Sequence, residues 1–339
     1  MSKASLMVTA LFVMALLGAY SVYKPFLLSM VVAVLLSMAT FNLTNKIFII
    51  TKSANFSSAI ITLMMSLLLF APMIYLATVG VGYVSSIDIE GIKQTVQAIK
   101  NLTVDMPLIH DLANEYLCDE KITEYVKAST SYVTVAGGMG FGFIKNMVFV
   151  VIFYFFINYY GNKFFDTILK LLPVDRDKGS SMIQDVSATM EIVFYSIIVT
   201  AIFEGLLFGV IMSSYGFNGL FFGMVYGFAS LIPIVGGIIV WLPVSLYAWT
   251  KIDSKTAIII ASYSVVVISI IADTFIKPMI IKVIKEDFLK SDIKINSILI
   301  FFSIIAGMST YGFWGMILGP AITAFLIAIT KVYLDYSEK

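Results

Sequence analysis

Residues 217–250 read FNGLFFGMVYGFASLIPIVGGIIVWLPVSLYAWT, and this stretch decides how the second half of the chain folds. It contains no charged residue, but the helix-breaking sequence IPIVGG interrupts it at 232–237. As helices, the arms Phe217–Ile232 and Ile238–Thr250 reach only about 24 and 20 Å. Because the bilayer core is about 30 Å thick, we predict a re-entrant helical hairpin rather than two full spans.

A second uncharged run, Ile295–Thr330, is interrupted by glycines between Gly307 and Gly315. Its arms, Ile295–Ala306 and Met316–Thr330, are also short, and we predict a second re-entrant hairpin. A kink in an ordinary helix is the alternative at both breaks. Each hairpin follows a span that carries an acidic residue, so the second half is predicted to resemble an inverted repeat. Paired broken helices of this kind are typical of the binding site of a transporter.

The composition places most of the chain in a membrane. Of 339 residues, 60% are hydrophobic and 13% are charged, and the mean hydropathy is +0.96. Soluble domains are roughly 45–50% apolar and about 25% charged, so a soluble or disordered protein is excluded. The formal net charge of +1 gives no electrostatic reason for a nucleic-acid partner. With one cysteine, Cys118, and one histidine, His110, neither a disulfide framework nor a metal or other cofactor is expected.

Six further runs are long and apolar enough to span the bilayer. They are Ala4–Tyr23, Pro25–Asn45, Ser53–Ile87, Ala128–Asn162, Glu191–Ser213 and Thr256–Ile281. With the hairpins, they predict an all-α polytopic membrane protein of about six full transmembrane helices and two re-entrant hairpins, or about eight membrane segments.

Positively charged residues cluster in three loops, near 46–52, 163–178 and 282–294. Lysine and arginine in short loops mark the cytoplasmic side of a membrane protein. The predicted topology places all three loops in the cytoplasm together with the N- and C-termini.

The chain is predicted to contain N-terminal transmembrane helices (1–84), a small extracytoplasmic helical insert (85–131), a transmembrane helix with a cytoplasmic loop (132–185) and a transport region with both hairpins (186–339). The insert has more acidic residues than lysines, and its apolar residues recur at helical spacing. A solvated connector with no binding role is the alternative for the insert.

Glu204, Asp273 and Lys277 lie deep inside predicted spans, where a charge is costly. Lys145 lies near the outer end of its span. Glu204 lies near the middle of its span, with Thr200 one turn before it and no lysine or arginine within a turn. It is either a proton or cation site or a neutral packing residue. Asp273 and Lys277 are an i, i+4 pair in the favourable order. They form either a self-neutralising pair, with the lysine reaching outward, or a gate or substrate contact beside Pro278.

The two hairpin tips are the candidate binding residues, because unwound backbone at membrane depth must line a cavity or be buried in protein. These residues are Pro233, Gly236 and Gly237 at the first tip and Ser309, Thr310, Tyr311 and Gly312 at the second. Candidate hinge or packing residues are Pro278, Gly315, Gly319 and Pro320. Small residues at i, i+4 spacing also predict close helix packing at Gly205/Gly209 and Gly219/Gly223/Gly227.

Four blocks resemble the signature blocks of the autoinducer-2 exporter (AI-2E) family of permeases, in order and spacing and over essentially the whole chain. The blocks are Gly205–Gly209, Ser230–Gly237, Asp273–Pro278 and Ala306–Pro320. Ile295-Asn296 stands where many relatives carry a His-Pro pair. The resemblance implies a bacterial inner-membrane transporter that is a homo-oligomer, with a pentamer as the family expectation.

The resemblance also implies two substrate classes, the quorum-sensing signal autoinducer-2 and, in other members, sodium or lithium against protons. We expect a secondary transporter that exports a small polar solute such as autoinducer-2 by elevator-like alternating access. Sodium(lithium)/proton antiport on the same fold is the alternative, and a passive channel is less favoured. An enzyme is not expected, since the sequence has no HExxH, GxSxG, CxxC or GxxxxGK[ST] motif.

Overall fold

The structure is a computed structural model that describes residues 3–85, 144–161, 163–167, 169–170, 175–232, 236–284, 286 and 297–337, with scattered residues between 93 and 121. The described residues are almost entirely helical and include no strand. Most of the predicted insert, with His110, lies outside the described residues. So do Pro233 at the first hairpin tip and the Ile295-Asn296 pair.

Twelve α-helices and three short segments of other helix types form the described fold. In the first half these are α1 (Lys3–Tyr23), a 3₁₀ turn (Lys24–Phe26), α2 (Leu27–Ala39), α3 (Phe41–Thr51), α4 (Ala54–Ser85) and α5 (Ile144–Gly161). In the second half they are α6 (Arg176–Ser214), α7 (Gly219–Ala229), α8 (Gly236–Lys251), α9 (Ser254–Tyr263), a π-helix (Ser264–Ile276), α10 (Lys277–Val283), α11 (Ser297–Tyr311), a 3₁₀ turn (Gly312–Trp314) and α12 (Gly315–Ser337).

Six helical runs among the described residues are long and apolar enough to cross a membrane. They are Leu6–Ala39, Ala54–Gly80, Ile144–Gly161, Arg176–Ser214, Ser254–Val283 and Ile298–Leu334. The predicted all-α polytopic membrane protein is therefore confirmed. Both α7 and α8 are apolar but shorter, and the re-entrant path of the hairpins stays a prediction.

The first two predicted spans differ from the structure in where they are interrupted. Helical structure continues through Lys24, because Pro25 occupies the first turn of the 3₁₀ segment, where proline needs no hydrogen-bond partner. The break comes instead at Thr40. Its hydroxyl donates to the Leu36 carbonyl over 2.8 Å and lies 2.6 Å from the Tyr154 hydroxyl, between α2 and α3.

The buried apolar residues form two clusters that share helix α6. The scaffold core joins α2, α4, α5, the first half of α6 and α12, and it includes Leu36, Ile61, Tyr154, Met190 and Leu318. The hairpin core joins the second half of α6 to α7, α8, α9 and the π-helix, and it includes Phe208, Met212, Tyr226, Val244 and Ile260. Helices of the predicted transport region thus belong to both cores, and its movement as one unit stays a prediction.

Helices α6 and α7 form an antiparallel pair with their backbones in direct contact. A Cβ atom built on Gly223 would lie 2.7 Å from the Gly205 carbonyl oxygen, and one on Gly209 would lie 2.7 Å from that of Gly219. The connecting turn contains Gly216, with a φ of +79° that side chains other than glycine rarely adopt. The predicted small-residue faces therefore pack against each other.

Both predicted hairpins are present as consecutive helix pairs, α7 with α8 and α11 with α12. In the second pair, Gly307 contacts Gly315 and Gly319 contacts the backbone of Ser303. The chain reverses at Gly312, which has a φ of +58°. The two pairs differ in their surroundings, because α7 and α8 pack in the hairpin core whereas α12 packs in the scaffold core.

Candidate functional site

The three charges predicted inside the membrane meet in one cluster, here called the triad. The Nζ atom of Lys277 lies 3.2 Å from Glu204 Oε1 and 3.2 Å from Asp273 Oδ1. The Glu204 side chain is 4% exposed, whereas those of Lys277 and Asp273 are 37% and 45% exposed. The expectation that Glu204 lacks a counter-charge is therefore wrong. Nor is Lys277 simply turned outward, since it joins both acids.

Helix direction explains why Glu204 and Lys277 reach each other. The Tyr263 hydroxyl donates to the Leu207 carbonyl over 3.3 Å and Lys277 donates to Glu204 over 3.2 Å, so the contacts go back along α6 as they go forward along the other segment. The segments are antiparallel, and helical side chains lean towards the N-terminus of their own helix. The two side chains therefore lean towards each other. Glu204 is about ten residues, or roughly 15 Å, from the end of α6, and its position at mid-depth in the bilayer stays a prediction.

The other two members of the triad lie where a π-helix meets α10. Asp273 lies near its end, and Lys277 and Pro278 begin α10. Proline has no N–H group and cannot continue the π-helical hydrogen-bond pattern, so the π-helix ends just before Lys277. π-Helical turns are rare and occur most often at functional sites. Nothing in the apolar pattern of this span indicates the π-helix.

The tip of the first hairpin completes the surroundings of Glu204. Ser230, the residue after α7, lies beside Glu204, and its hydroxyl donates to the Gly227 carbonyl oxygen over 2.9 Å. Tyr226 is buried and lies near Ser269 of the π-helix. Neither Tyr226 nor the Ser230 hydroxyl is among the residues predicted from the sequence. A hydroxyl-bearing residue in an uncharged, glycine-rich helix is the signal that points to them.

Two glycines of the first tip have steric reasons to be glycine. A Cβ atom on Gly237 would meet the Tyr226 hydroxyl at 2.5 Å, and one on Gly236 would overlap the Ala229 carbonyl oxygen. The Tyr226 ring also stacks on Phe208, with ring centroids 4.5 Å apart. Gly236 and Gly237 therefore pack directly against α7 at this tip.

Thr200 lies on the buried face of α6 with Glu204, but its hydroxyl makes a hydrogen bond within α6. It donates to the Ser196 carbonyl over 2.6 Å, a common back-bond of threonine in helices. The predicted polar stripe of Ser196, Thr200 and Glu204 is therefore buried. Thr200 lies one turn from the triad and makes no hydrogen bond to it among the described residues.

The second hairpin tip lies elsewhere. Ser309, Thr310, Tyr311 and Gly312 are exposed, and Thr310 donates to the Ala306 carbonyl of its own helix over 3.0 Å. In the described part of the chain, no hydrogen bond or ion pair joins them to the triad. Phe313 and Trp314, which follow this tip, line an apolar cavity of about 840 Å³ between the two cores. Gly315, Gly319 and Pro320 are buried, the two glycines against α11, which agrees with a packing role.

The structure contains a second buried carboxylate that is not among the predicted site residues. Glu191, the first residue of a predicted span, is buried inside α6. Its oxygens accept the backbone N–H of Asn42 at 3.2 Å and the side-chain amide of Asn42 at 2.7 Å. Asn42 lies in the first turn of α3, where backbone N–H groups lack helical partners. Glu191 therefore closes the break between α2 and α3 and has a structural role.

A metal centre has no support in the described part of the chain. No group of three or more histidine, cysteine, aspartate or glutamate side chains there is arranged to hold a metal ion.

The fold and the triad together define a class, that of polytopic α-helical membrane transporters, because broken paired helices and ionisable groups at mid-depth are typical of them. The sequence model of the AI-2E family transporters matches residues 6–335, and the chain belongs to this family. A Helicobacter pylori protein named "Putative transport protein" is 34% identical over 322 residues, covering 93% of this chain and 91% of its own length. An Aquifex aeolicus protein of the same name is 29% identical over 208 residues, covering 60% and 54%.

Proposed function

We propose that the protein is a secondary transporter of the bacterial inner membrane that exports a small polar solute such as autoinducer-2 by alternating access. The observation that carries the proposal is the buried Glu204 carboxylate bound to Lys277. Removing two charges from water costs several kcal/mol per ion, and apolar residues of similar size would serve stability as well or better. A cluster of this kind at mid-depth in a membrane therefore favours a role in transport over a role in packing.

The charge of the triad suggests how transport is coupled to an ion gradient. With all three side chains ionised, two carboxylates face one ammonium group, which leaves an excess of one negative charge. A proton or Na⁺ at Glu204 removes this excess and weakens the attraction of Glu204 for Lys277. Because Ser230 lies beside the same carboxylate, this change is expected to reach the first hairpin tip.

The solute is proposed to be held by hydrogen bonds rather than by charge. The first tip offers the Ser230 hydroxyl and the backbone at Gly237, and the second tip offers the exposed hydroxyls of Thr310 and Tyr311. Such groups suit an uncharged, hydroxylated molecule. No catalytic residue and no cofactor are part of this proposal.

The movement is proposed to be elevator-like, with the hairpin core sliding against the scaffold core. The cavity between the two cores supports this, because its walls come from both, including Leu69 and Met190 on one side and Gly205 and Phe228 on the other. From Leu6 to Tyr23 the side chains of α1 are exposed, so they are available to lipid and to further copies of the chain. A homo-oligomer, with a pentamer by family analogy, and cytoplasmic termini complete the proposal.

Sodium(lithium)/proton antiport is the second candidate, and the excess negative charge of the triad favours it. A site that exchanges Na⁺ for a proton needs oxygen ligands and an acid that can be protonated, and the Glu204 and Asp273 carboxylates offer both.

A paired flux assay tests the proposal. The purified protein is placed in liposomes, and autoinducer-2 flux and sodium-dependent proton movement are measured in parallel, with and without an imposed ion gradient. We expect autoinducer-2 flux that accelerates with the gradient. Proton movement alone would favour the antiporter, and solute flux insensitive to the gradient would indicate a passive channel and contradict the proposal.

A further inference from the structure

Three buried polar atoms in the hairpin core lack hydrogen-bond partners among the described residues. They are Nε1 of Trp241 and the hydroxyl oxygens of Ser245 and Ser264. Ser245 is 6% exposed and Ser264 is 0% exposed. Leaving such groups unpaired is destabilising, and most buried polar atoms in proteins therefore have a partner, often an ordered water.

The three groups lie along one interface. Trp241 and Ser245 are one turn apart on α8, and Ser264 is the first residue of the π-helix. The turn at Ile252 and Asp253 reverses the chain, so α8 packs along α9 and the start of the π-helix. Trp241 and Ser264 each lie about eleven residues from this turn, which places them opposite each other.

Backbone groups add to the polarity of this interface. Pro243 lies inside α8 and has no N–H, so the carbonyl of Ile239 loses its helical partner. The change from α-helix to π-helix begins at Ser264 and shifts the hydrogen-bond pattern by one residue, which disturbs the pairing of carbonyls there. Both features occur where the side chains are unpaired.

The interface leads to the triad at one end. In the π-helix, hydrogen bonds join residues five apart, so Ser264, Ser269 and Asp273 lie close to one face. The Tyr226 side chain lies near Ser269, and its hydroxyl lies against Gly237, one turn before Trp241 on α8. The polar groups therefore continue from the unpaired cluster to the triad.

The other end reaches the turn between α8 and α9. Thr256 is buried in the first turn of α9, and its N–H and hydroxyl each donate to the exposed Asp253 carboxylate over 2.7 Å. Thr256, Ile260 and Ser264 follow each other at helical spacing. The polar groups thus extend from the triad to the protein surface and are interrupted by the apolar Ile260.

We infer that the interface of α8 with α9 and the π-helix is a closed water path, one of two access routes to the triad. The inference rests on the proposed function, because two alternating routes matter only if the triad binds what is transported. Asp273 is 45% exposed, so one side of the triad lies at the surface of the chain. The unpaired groups of Trp241, Ser245 and Ser264 mark the second route, which fills with water when the hairpin core moves.

Cysteine labelling tests the path. In a Cys118→Ser background, Ser264→Cys and Ser245→Cys are placed in liposomes and exposed to a small, charged, water-soluble methanethiosulfonate reagent. Ser58→Cys is the matched control, because Ser58 is 1% exposed on α4. Thiol reactivity follows access to water, so both path variants are expected to react roughly tenfold faster than the control. Their rates are expected to change when the ion gradient is reversed.

Two features keep the result decisive. Each variant is accepted only if it elutes as the wild type does, and either path variant alone carries the test if the other fails to fold. Reaction of the path variants no faster than that of Ser58→Cys under both gradients would overturn the inference. Failure of the proposed function appears in the flux assay instead, where transport does not depend on the gradient, while the labelling rates still report the path.

Discussion

Lys277 is the residue on which the triad depends, because it is the ion-pair partner of both acids. Its removal leaves Glu204 as a buried carboxylate without a counter-charge. Breaking a buried pair by removing one partner is far more costly than replacing both. The pair therefore makes a stability prediction that is independent of any transport measurement.

We predict that Lys277→Gln lowers the free energy of unfolding by about 3 kcal/mol, the lower end of the range for a buried pair, since the lysine is itself partly exposed. The double variant Glu204→Gln/Lys277→Gln is expected to lose less than Lys277→Gln alone. Thermal unfolding in detergent checks both. A double variant that is less stable than either single variant would contradict the ion pair.

Asp253 gives a prediction about pH at the start of α9. The hydrogen bonds from Thr256 hold the pKa of the Asp253 carboxyl below its ordinary value, so the ionised cap stabilises the folded state. This stabilisation is complete above the ordinary pKa of about 4 and is lost as the pH falls through the lowered one. The Tm difference between wild type and Asp253→Asn is expected to be largest near neutral pH and to shrink in acid. A difference independent of pH would contradict the role of the cap.

For single residues, the sequence identifies the charged side chains inside apolar spans but not the residues that they contact. Glu204, Asp273 and Lys277 stand out because each is rare inside an apolar span. Glu204 and Lys277 are 73 positions apart, and their contact depends on how α6 packs against the π-helix. Glu191 was missed for the same reason, because its partner Asn42 lies 149 positions away.

Among the helices, the seam between α6 and α7 sets the position of the first hairpin tip. The carbonyl groups of one helix touch the Cα atoms of the other, an approach that only glycine allows. The spacing of small residues predicts close packing of this kind, and the structure shows that α6 and α7 are the two helices in contact. The π-helix was not predicted, because its apolar residues have no pattern that differs from that of an α-helix.

We predict that Gly223→Ala lowers the free energy of unfolding by about 1–3 kcal/mol, the usual cost of overpacking. The cause is that the new methyl group meets backbone atoms rather than a movable side chain. Gly18→Ala is the matched control, since nothing lies within 4 Å of a Cβ atom there. Thermal unfolding of both variants measures the difference. Equal stability of the two variants would mean that α6 and α7 are not in close contact.

For the whole molecule, the division into two cores with α6 in common is the main finding that the sequence did not contain. The spacing of Gly315 and Gly319 predicts that α12 packs closely against another helix, but it does not show which one. The structure places α12 beside α11, α2 and α6, and its buried residues belong to the scaffold core. The cavity of about 840 Å³ then separates this core from the hairpin core.

The proposed movement of the two cores predicts the effect of a cross-link across the cavity. Leu68 of α4 and Leu220 of α7 line it, and a bifunctional thiol reagent on Leu68→Cys/Leu220→Cys is expected to stop transport until a reductant releases it. Val210→Cys/Leu220→Cys is the control, because both positions lie on the α6–α7 pair and move together. Transport that continues with the first pair fully cross-linked would contradict an elevator-like movement.

The coupling role of Glu204 is the central claim, and one comparison tests it most directly. Glu204→Gln and Glu191→Gln make the same chemical change in the same helix, at the triad and at the α3 cap. Gradient-driven flux is measured for both folded variants in liposomes, beside the wild type. The account predicts that Glu204→Gln abolishes gradient-coupled transport and that Glu191→Gln retains it. Unchanged coupling in Glu204→Gln would contradict the account.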